Sequence, residues 1–138
     1  PSIKKGYYEN MYYYEVSLDY WLSFYYFSSE QLDQIGPNLL GATWKGVYPL
    51  DKIPHVRDGS IIVNTHSSHL GGEHWIAVRI RPNGIKVFDP LGYFYPPMLV
   101  NALARMMKPI SYNRVQYQNP ETRLCGHYCI MWLSSENV

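Results

Sequence analysis

The chain has 138 residues, of which 46% are hydrophobic and 17% charged, so it can fold as one globular domain without stabilising cross-links. A formal net charge of +1 and only two cysteines argue against a strongly basic nucleic-acid-binding protein and a small disulfide framework. No apolar run reaches the length of a membrane-spanning helix, and residues 1–10 lack a signal-peptide core, so a reducing intracellular setting is expected.

The first segment of the chain is rich in tyrosine and ambiguous in secondary structure. Residues 12–27 fit the periodicity of a strand and of a helix, and their aromatic content favours extended structure. Such a segment is either an edge element packed on the core or a docking surface for a partner or membrane interface.

A short helix follows the aromatic segment. Residues 28–36 carry a capping box formed by Ser28 and Gln31, and the Gly-Pro pair at 36–37 predicts the end of the helix. Residues 41–54 have no clear periodicity and predict a loop.

The middle of the chain predicts three strands. A β-branched run at 59–65 is typical of a buried strand, and residues 74–80 predict a second one. The Asn-Gly pair at 83–84 predicts a turn, because these residues readily take positive φ, and residues 85–89 return as the third strand.

The last third of the chain predicts two helices and one strand. Residues 96–108 predict a helix with prolines at its start, where a missing N–H costs little, and residues 111–117 predict a fourth strand. Residues 125–133 predict a helix that is apolar on most faces and therefore buried. This succession of elements indicates an α+β fold.

Cys125 is the strongest candidate for chemistry. It lies at the expected N-terminus of the last helix, where free N–H groups and partial positive charge favour the reactive thiolate. Gly126 follows, so backbone and substrate can approach closely. Cys129, one turn later, is expected to pack inside the helix, and His127 to be structural or to lie at the substrate rim.

A thiolate nucleophile needs a base and an oxyanion donor. His74 opens one strand and Asp89 ends the strand paired with it, so both are expected at the same sheet edge, where the carboxylate could orient the imidazole. Gln118, seven residues before Cys125, could donate to an oxyanion together with the Cys125 amide. Taken singly, His74, Asp89 and Gln118 each have ordinary surface or turn roles as alternatives.

The two cysteines have other interpretations. Cys125, His127 and Cys129 are three candidate metal ligands within five residues, but a helix directs positions 125 and 127 to different faces, and no second cysteine pair completes a zinc site. A disulfide between Cys125 and Cys129 is disfavoured by their spacing within one helix. No metal is therefore expected.

Three motifs together resemble a known family. The segments "GGEHWIAV" at 71–78, "VFDPLGY" at 87–93 and "QNPETRLCGHYC" at 118–129 are similar to the His, acid, Gln and Cys motifs of the adenovirus maturation protease family, adenain. Related proteases occur in virophages and Maverick-type elements, and the SUMO- and ubiquitin-like-protein proteases are more distant relatives. The family carries Glu where this chain has Asp89.

The resemblance implies a fold and a catalytic set. The fold would be a permuted papain-like core in which a central mixed sheet supports a buried helix with the nucleophile at its N-terminus. Residues 1–138 would form one protease domain, with a Tyr-rich extension at 1–27 and a catalytic core at 28–134. By resemblance, Cys125 is the nucleophile, His74 the general base, Asp89 the orienting acid and Gln118 the oxyanion donor.

The resemblance also implies substrates and partners. The expected activity is a cysteine endopeptidase that processes viral capsid precursors next to small residues, within the virion and the infected host cell. Trp75, Gly72 and Gly126 are expected to contact substrate. Adenain uses DNA and a disulfide-tethered activating peptide. The near-neutral charge argues against nucleic acid here, and residues 103–115 lack a cysteine for a tether, so any activating peptide would bind without a disulfide. No cofactor is expected, and the oligomeric state is not predicted.

Two other functions remain open from the sequence. A protease that removes SUMO- or ubiquitin-like modifiers would use the same catalytic set. A non-catalytic binding module could keep the fold, although none of the four catalytic positions is missing.

Overall fold

The computed structural model describes residues 27–65, 74–92, 95–119 and 124–136. The Tyr-rich stretch before Phe27 and the predicted substrate contact Gly72 lie outside these ranges. None of the helices within them is long and apolar enough to cross a membrane.

Three helices and five strands make up the described part of the chain, together with two short 3₁₀ turns. In chain order they are α1 (Ser29–Leu40), β1 (Trp44–Pro49), β2 (Gly59–Asn64), β3 (Trp75–Arg81), β4 (Gly84–Phe88), α2 (Pro97–Ala104), β5 (Ile110–Tyr112) and α3 (Cys125–Glu136).

The strands form one mixed sheet in the order β1-β2-β3-β4-β5. The outer pairs, β1 with β2 and β4 with β5, are parallel, and the central pairs β2 with β3 and β3 with β4 are antiparallel. The α+β class and the mixed central sheet predicted from the sequence are confirmed.

The sheet separates two apolar cores. One core lies between the sheet and helices α1 and α3, and it includes Leu32, Trp75 and Leu133. The other lies on the opposite face under α2, where Val78 and Leu99 are among its members. Strands β2 and β3 are therefore buried on both faces, which explains their largely continuous hydrophobic runs.

Helix α1 begins as predicted but ends later. The Ser28 side chain accepts a hydrogen bond from the Gln31 amide at 3.2 Å, and the Gln31 side chain accepts one from Ser28 N–H at 2.8 Å, so the capping box is confirmed. The predicted end at 36–37 is wrong, because the helix continues to Leu40 with an exposed Pro37 inside it.

Packing against α1 explains the glycine before that proline. A Cβ on Gly36 would lie 2.4 Å from two ring atoms of Trp44, so only glycine lets the indole pack this closely on the helix. The buried side chains of Leu39 and Leu40 extend the apolar face of the helix beyond the proline. This tertiary packing outweighs the local tendency of Pro37 to end the helix.

The predicted loop at 41–54 is wrong over its central part. Strand β1 occupies Trp44–Pro49 and pairs in parallel with β2, with a register shift between Trp44 and Gly46, whose φ is 110°. Its side chains are only partly buried because the strand lies at the edge of the sheet. The glycine and the proline within it interrupt the alternation of apolar and polar residues by which a strand is recognised.

The predicted hairpin in the centre of the sheet is confirmed. Strands β3 and β4 are joined by a two-residue turn at Pro82 and Asn83, and Arg81 pairs with Gly84 beside it. The positive φ expected of the Asn-Gly pair is wrong, because neither Asn83 nor Gly84 adopts it and Gly84 already belongs to β4. Both strands begin and end within one residue of the predicted bounds.

The elements after the hairpin are shorter than predicted. Helix α2 ends at Ala104 rather than 108, and Met107, with a φ of 59°, cannot continue it. Strand β5 has three residues instead of the seven predicted at 111–117, because the chain leaves the sheet after Tyr112. Helix α3 begins at Cys125 as predicted.

Candidate active site

The sheet brings His74 and Asp89 to one edge. His74 directly precedes β3 and Asp89 directly follows β4, and these strands are antiparallel neighbours. The start of one strand therefore lies beside the end of the other. The imidazole Nε2 of His74 is 2.6 Å from Oδ1 of Asp89, which is a short, charge-assisted hydrogen bond.

The Asp89 carboxylate is buried, with no exposed surface on its side chain. Its Oδ1 also accepts a hydrogen bond from the Leu91 amide at 2.9 Å. A buried carboxylate without such partners would cost several kcal/mol or would take up a proton. The contacts to His74 and Leu91 therefore stabilise the ionised form and aim the carboxylate at the imidazole.

Helix α3 brings Cys125 to the same place. Cys129 donates a hydrogen bond from Sγ to the Trp75 carbonyl oxygen at 3.3 Å, and Arg81 donates from Nη2 to the Glu136 carbonyl oxygen at 2.7 Å. The start of α3 thus lies by the start of β3, and the two ends also meet. Since Cys125 begins α3 and His74 precedes β3, the two side chains meet at this end of the sheet.

A hydrogen bond joins the side chains of His74 and Cys125. Burial of the imidazole lowers the pKa of His74, but the hydrogen bonds to Asp89 and Cys125 and the negative charge on both partners outweigh burial. The net effect raises the pKa of His74 from 6.5 to about 9. Since His74 is only 20% exposed, water screens these interactions weakly.

This arrangement can move a proton between sulfur and nitrogen. Asp89 occupies Nε2 of the imidazole, so Nδ1 is the nitrogen that remains to exchange a proton with the Cys125 thiol. With a pKa of about 9, the His74 imidazole beside Cys125 carries its proton at neutral pH. Cys125 also begins a twelve-residue helix, whose N–H groups favour negative charge.

Gln118 lies in the segment that leads from β5 to α3. Its side chain is buried, with 3% exposed, and its backbone N–H donates to the Pro90 carbonyl oxygen at 2.9 Å. Pro90 is the residue after Asp89, so Gln118 is held next to the acid. Residues 120–123, which connect it to α3, lie outside the described ranges, and its role as oxyanion donor stays a prediction.

Two of the three predicted substrate contacts, Trp75 and Gly126, pack against neighbouring side chains in the described structure. Trp75 is 1% exposed, and its indole Nε1 donates to the Phe27 carbonyl oxygen at 3.0 Å, so it supports the site from inside the core. A Cβ on Gly126 would lie 3.0 Å from Cβ of Phe27 and 3.3 Å from the Trp75 ring. Gly126 therefore allows α3 to pack closely against these aromatic side chains.

Phe27 was missed at the sequence level. Its ring stacks on the imidazole of His127 with centroids 3.9 Å apart and an interplanar angle of 10°, and its carbonyl holds Trp75. Phe27 follows a run of aromatic residues, so the sequence gives no signal that separates it from the Tyr-rich extension predicted at 1–27. His127 is buried in this stack, which is the structural alternative predicted for it.

The second cysteine is buried in the core. Burial raises the pKa of the Cys129 thiol well above its usual range, and its Sγ is engaged by Trp75. Cys125 and Cys129 are not joined in a disulfide. Within the described ranges, no group of three or more His, Cys, Asp or Glu side chains is arranged to hold a metal ion.

Comparisons with known proteins agree with the resemblance seen in the motifs. No protein-family model matches the chain. The protease of Bovine adenovirus C serotype 10 is 34% identical over 88 residues, which cover 52% of this chain and 45% of that protein. The chain therefore spans less than half the length of this relative. The predicted similarity to an adenovirus protease is confirmed.

A solved structure also matches, at a lower level. The crystal structure of an ASFV protease gives a TM-score of 0.45 with 20% sequence identity, covering 56% of this chain and 34% of that one.

Proposed function

We propose that this protein is a cysteine endopeptidase in which Cys125, His74 and Asp89 form the catalytic triad and Gln118 completes the oxyanion hole. The observation that carries the proposal is the position of the His74 imidazole. It forms hydrogen bonds with the buried Asp89 carboxylate and with the Cys125 side chain. A histidine enclosed between a carboxylate and a thiol at a helix N-terminus, with a raised pKa, is typical of a catalytic site rather than of an inert surface position.

The proposed reaction begins with the thiolate–imidazolium pair. Cys125 Sγ attacks the scissile carbonyl carbon, and negative charge develops on the carbonyl oxygen. The Cys125 amide and the Gln118 side chain donate hydrogen bonds to that oxygen. Protonated His74 then gives its proton to the departing amine, which leaves a thioester on Cys125.

Water resolves the thioester in the second half of the reaction. Neutral His74 takes a proton from the water as it attacks, and the thiolate departs as the carboxylic acid product forms. Asp89 holds the imidazole in one orientation throughout and stabilises its positive charge. The proton balance closes with His74 again protonated beside the Cys125 thiolate.

The proposed substrates are viral capsid precursor proteins cut next to small residues, in the virion and the infected cell. The motifs and the adenovirus protease relative support this substrate class. The expected contact of Trp75 with substrate does not support it, since Trp75 is buried. An activating peptide, if one is needed, is proposed to bind without a disulfide tether.

A panel of substrates tests this proposal. The purified chain and a Cys125→Ala variant are incubated with peptides that span capsid-precursor junctions at glycine, and with fusions carrying ubiquitin-like modifiers. Products are identified by mass spectrometry. We expect cleavage of the capsid peptides alone, and only by the chain with Cys125 intact. Cleavage of the fusions alone would favour a modifier protease, and binding without cleavage would favour a non-catalytic module.

The oxyanion role of Gln118 predicts a loss confined to the chemical step. Replacing Gln118 with alanine is expected to lower kcat by about 10²–10³-fold with little change in KM, because the donor acts on the oxyanion that forms in the transition state. Steady-state kinetics on the best peptide checks this. Gln34, exposed on α1, provides the matched control variant Gln34→Ala, which should leave kcat unchanged. An unchanged kcat for Gln118→Ala would remove Gln118 from the catalytic set.

A further inference from the structure

The amide of Asn113 holds the backbone of Asp89 from both sides. The Asp89 N–H donates to Oδ1 of Asn113 at 2.7 Å, and Nδ2 of Asn113 donates back to the Asp89 carbonyl oxygen at 2.7 Å. A side-chain amide that both accepts from and donates to one residue fixes the position and the rotation of that residue's backbone. Asn113 follows directly after β5, where the chain leaves the sheet.

A partly buried tyrosine, Tyr95, in turn holds Asn113. The single proton of the Tyr95 hydroxyl is shared between the carbonyl oxygen of Asn113, at 2.5 Å from the hydroxyl oxygen, and its side-chain Oδ1, at 2.8 Å. Burial and the negative charge of Asp89 raise the pKa of Tyr95 to about 12, so the hydroxyl keeps its proton and remains a donor. The ring of Tyr95 also packs against Tyr112 at 4.4 Å, which fixes its orientation.

Further backbone contacts join the turn after Asp89 to the segment that carries Gln118. The carbonyl oxygen of Pro90 accepts hydrogen bonds from the amides of Tyr117 and Gln118, at 2.8 and 2.9 Å. Gly92 approaches the backbone of Val115 so closely that a Cβ there would lie 2.5 Å from its carbonyl oxygen. The turn after β4 and the segment after β5 are therefore packed together as one unit, with Asn113 at its start.

We propose that Asn113 is a positioning residue that sets the direction of the Asp89 carboxylate toward His74. The proposal rests on the proposed catalytic function of Asp89 and His74. The carboxylate sits one side-chain length from the backbone that Asn113 clamps, so a tilt of that backbone displaces Oδ1 from its place 2.6 Å from Nε2. Displacements of about 1 Å at a catalytic group can lower rates about 10²-fold.

Two variants separate this role from general stability. Asn113→Ala removes both hydrogen bonds to Asp89, and Tyr95→Phe removes the hydrogen bonds that orient Asn113 while keeping the ring. Val78→Ala serves as the control. Val78 is buried in the core on the α2 side of the sheet, and its apolar side chain forms no hydrogen bond with Asp89, Asn113 or Tyr95. Each protein is measured well below its melting temperature.

Three readouts are taken on each variant: the melting temperature, kcat and KM on a cleaved peptide, and the pKa of His74 from NMR titration. We expect Asn113→Ala to lower kcat about 10–100-fold with KM within about twofold, since a mispositioned carboxylate acts on the chemical step. The pKa of His74 should fall, because its hydrogen bond to Asp89 weakens. Tyr95→Phe should shift both quantities in the same direction by less. Val78→Ala should lower the melting temperature alone.

Each outcome decides the proposal. If Asn113→Ala lowers the melting temperature but leaves kcat and the pKa of His74 at wild-type values, as Val78→Ala does, Asn113 only stabilises the fold. Should Asn113→Ala fail to fold, an unchanged kcat and pKa in Tyr95→Phe would overturn the proposal. If the wild-type chain cleaves no peptide, the proposed function fails. The NMR titration of His74 still decides whether Asn113 directs Asp89 toward the imidazole.

Discussion

Replacing Cys125 with serine is expected to lower the rate of peptide hydrolysis by about 10⁴-fold or more, because a hydroxyl group beside His74 is a far weaker nucleophile than a thiolate. The rate is measured by following peptide products with mass spectrometry. Alkylation by iodoacetamide with peptide mapping provides a readout that needs no substrate. In the wild-type chain, label is expected on Cys125 even below neutral pH, and Cys125→Ser should lose that rapid phase.

The second cysteine offers a matched control four residues along the same helix. Cys129 is buried and donates to the Trp75 carbonyl oxygen, a hydrogen bond that a serine hydroxyl can keep. Cys129→Ser should therefore retain hydrolysis and rapid labelling. If Cys129→Ser abolished both while Cys125→Ser retained them, the assignment of the nucleophile would be reversed.

Replacing His74 with alanine is expected to lower hydrolysis by about 10³–10⁴-fold, because the variant lacks both the base for the thiol and the acid for the leaving amine. Alkylation of Cys125 at pH 6 should also become slower, since no imidazolium remains beside the thiolate. Iodoacetamide kinetics between pH 5 and 10 measure this effect. His55, exposed near the start of β2, supplies the control variant His55→Ala, which should match the wild-type chain.

The raised pKa of His74 also predicts how stability depends on pH. The pKa lies at about 9 in the folded chain and at the ordinary value of 6.5 in the unfolded chain. The folded chain therefore holds its proton more tightly, and the resulting stabilisation is fully present below about pH 6.5. It is lost as the pH rises through about 9.

Urea denaturation measures this dependence. The free energy of unfolding of the wild-type chain should exceed that of His74→Ala by most at pH 6, and the difference should shrink by pH 9.5. The same difference at both pH values would mean that His74 is not held as an imidazolium between Asp89 and Cys125. His55→Ala again serves as the control.

Much of the candidate site could be predicted because it depends on local patterns. The apolar runs on either side of the Pro-Asn-Gly segment at 82–84 indicated the hairpin of β3 and β4, and this antiparallel hairpin places His74 beside Asp89. The apolar helix beginning at Cys125 was also visible from composition. These features rest on residues close in sequence, whose periodicity and turn chemistry carry the information.

Other features depended on partners distant in sequence. Pro37 predicted a helix end, but the packing of Gly36 on Trp44 and the burial of Leu40 carry α1 onward. Strand β1 pairs with β2 despite the glycine and proline that conceal it. Asn113 was assigned to a strand, although asparagine is depleted in strands, and that depletion was the available signal that the strand ends there.

The sequence by itself determined the α+β class and the hairpin, because periodicity specifies them locally, and the resemblance of three motifs to the adenovirus protease family named the candidate catalytic residues. Only the tertiary structure decided that Trp75 and Gly126 pack against Phe27 inside the core, and that Asn113 clamps the backbone of Asp89. The physical reason is that burial and hydrogen-bond direction depend on which segments meet in space. No local pattern along the chain specifies which distant segments come into contact.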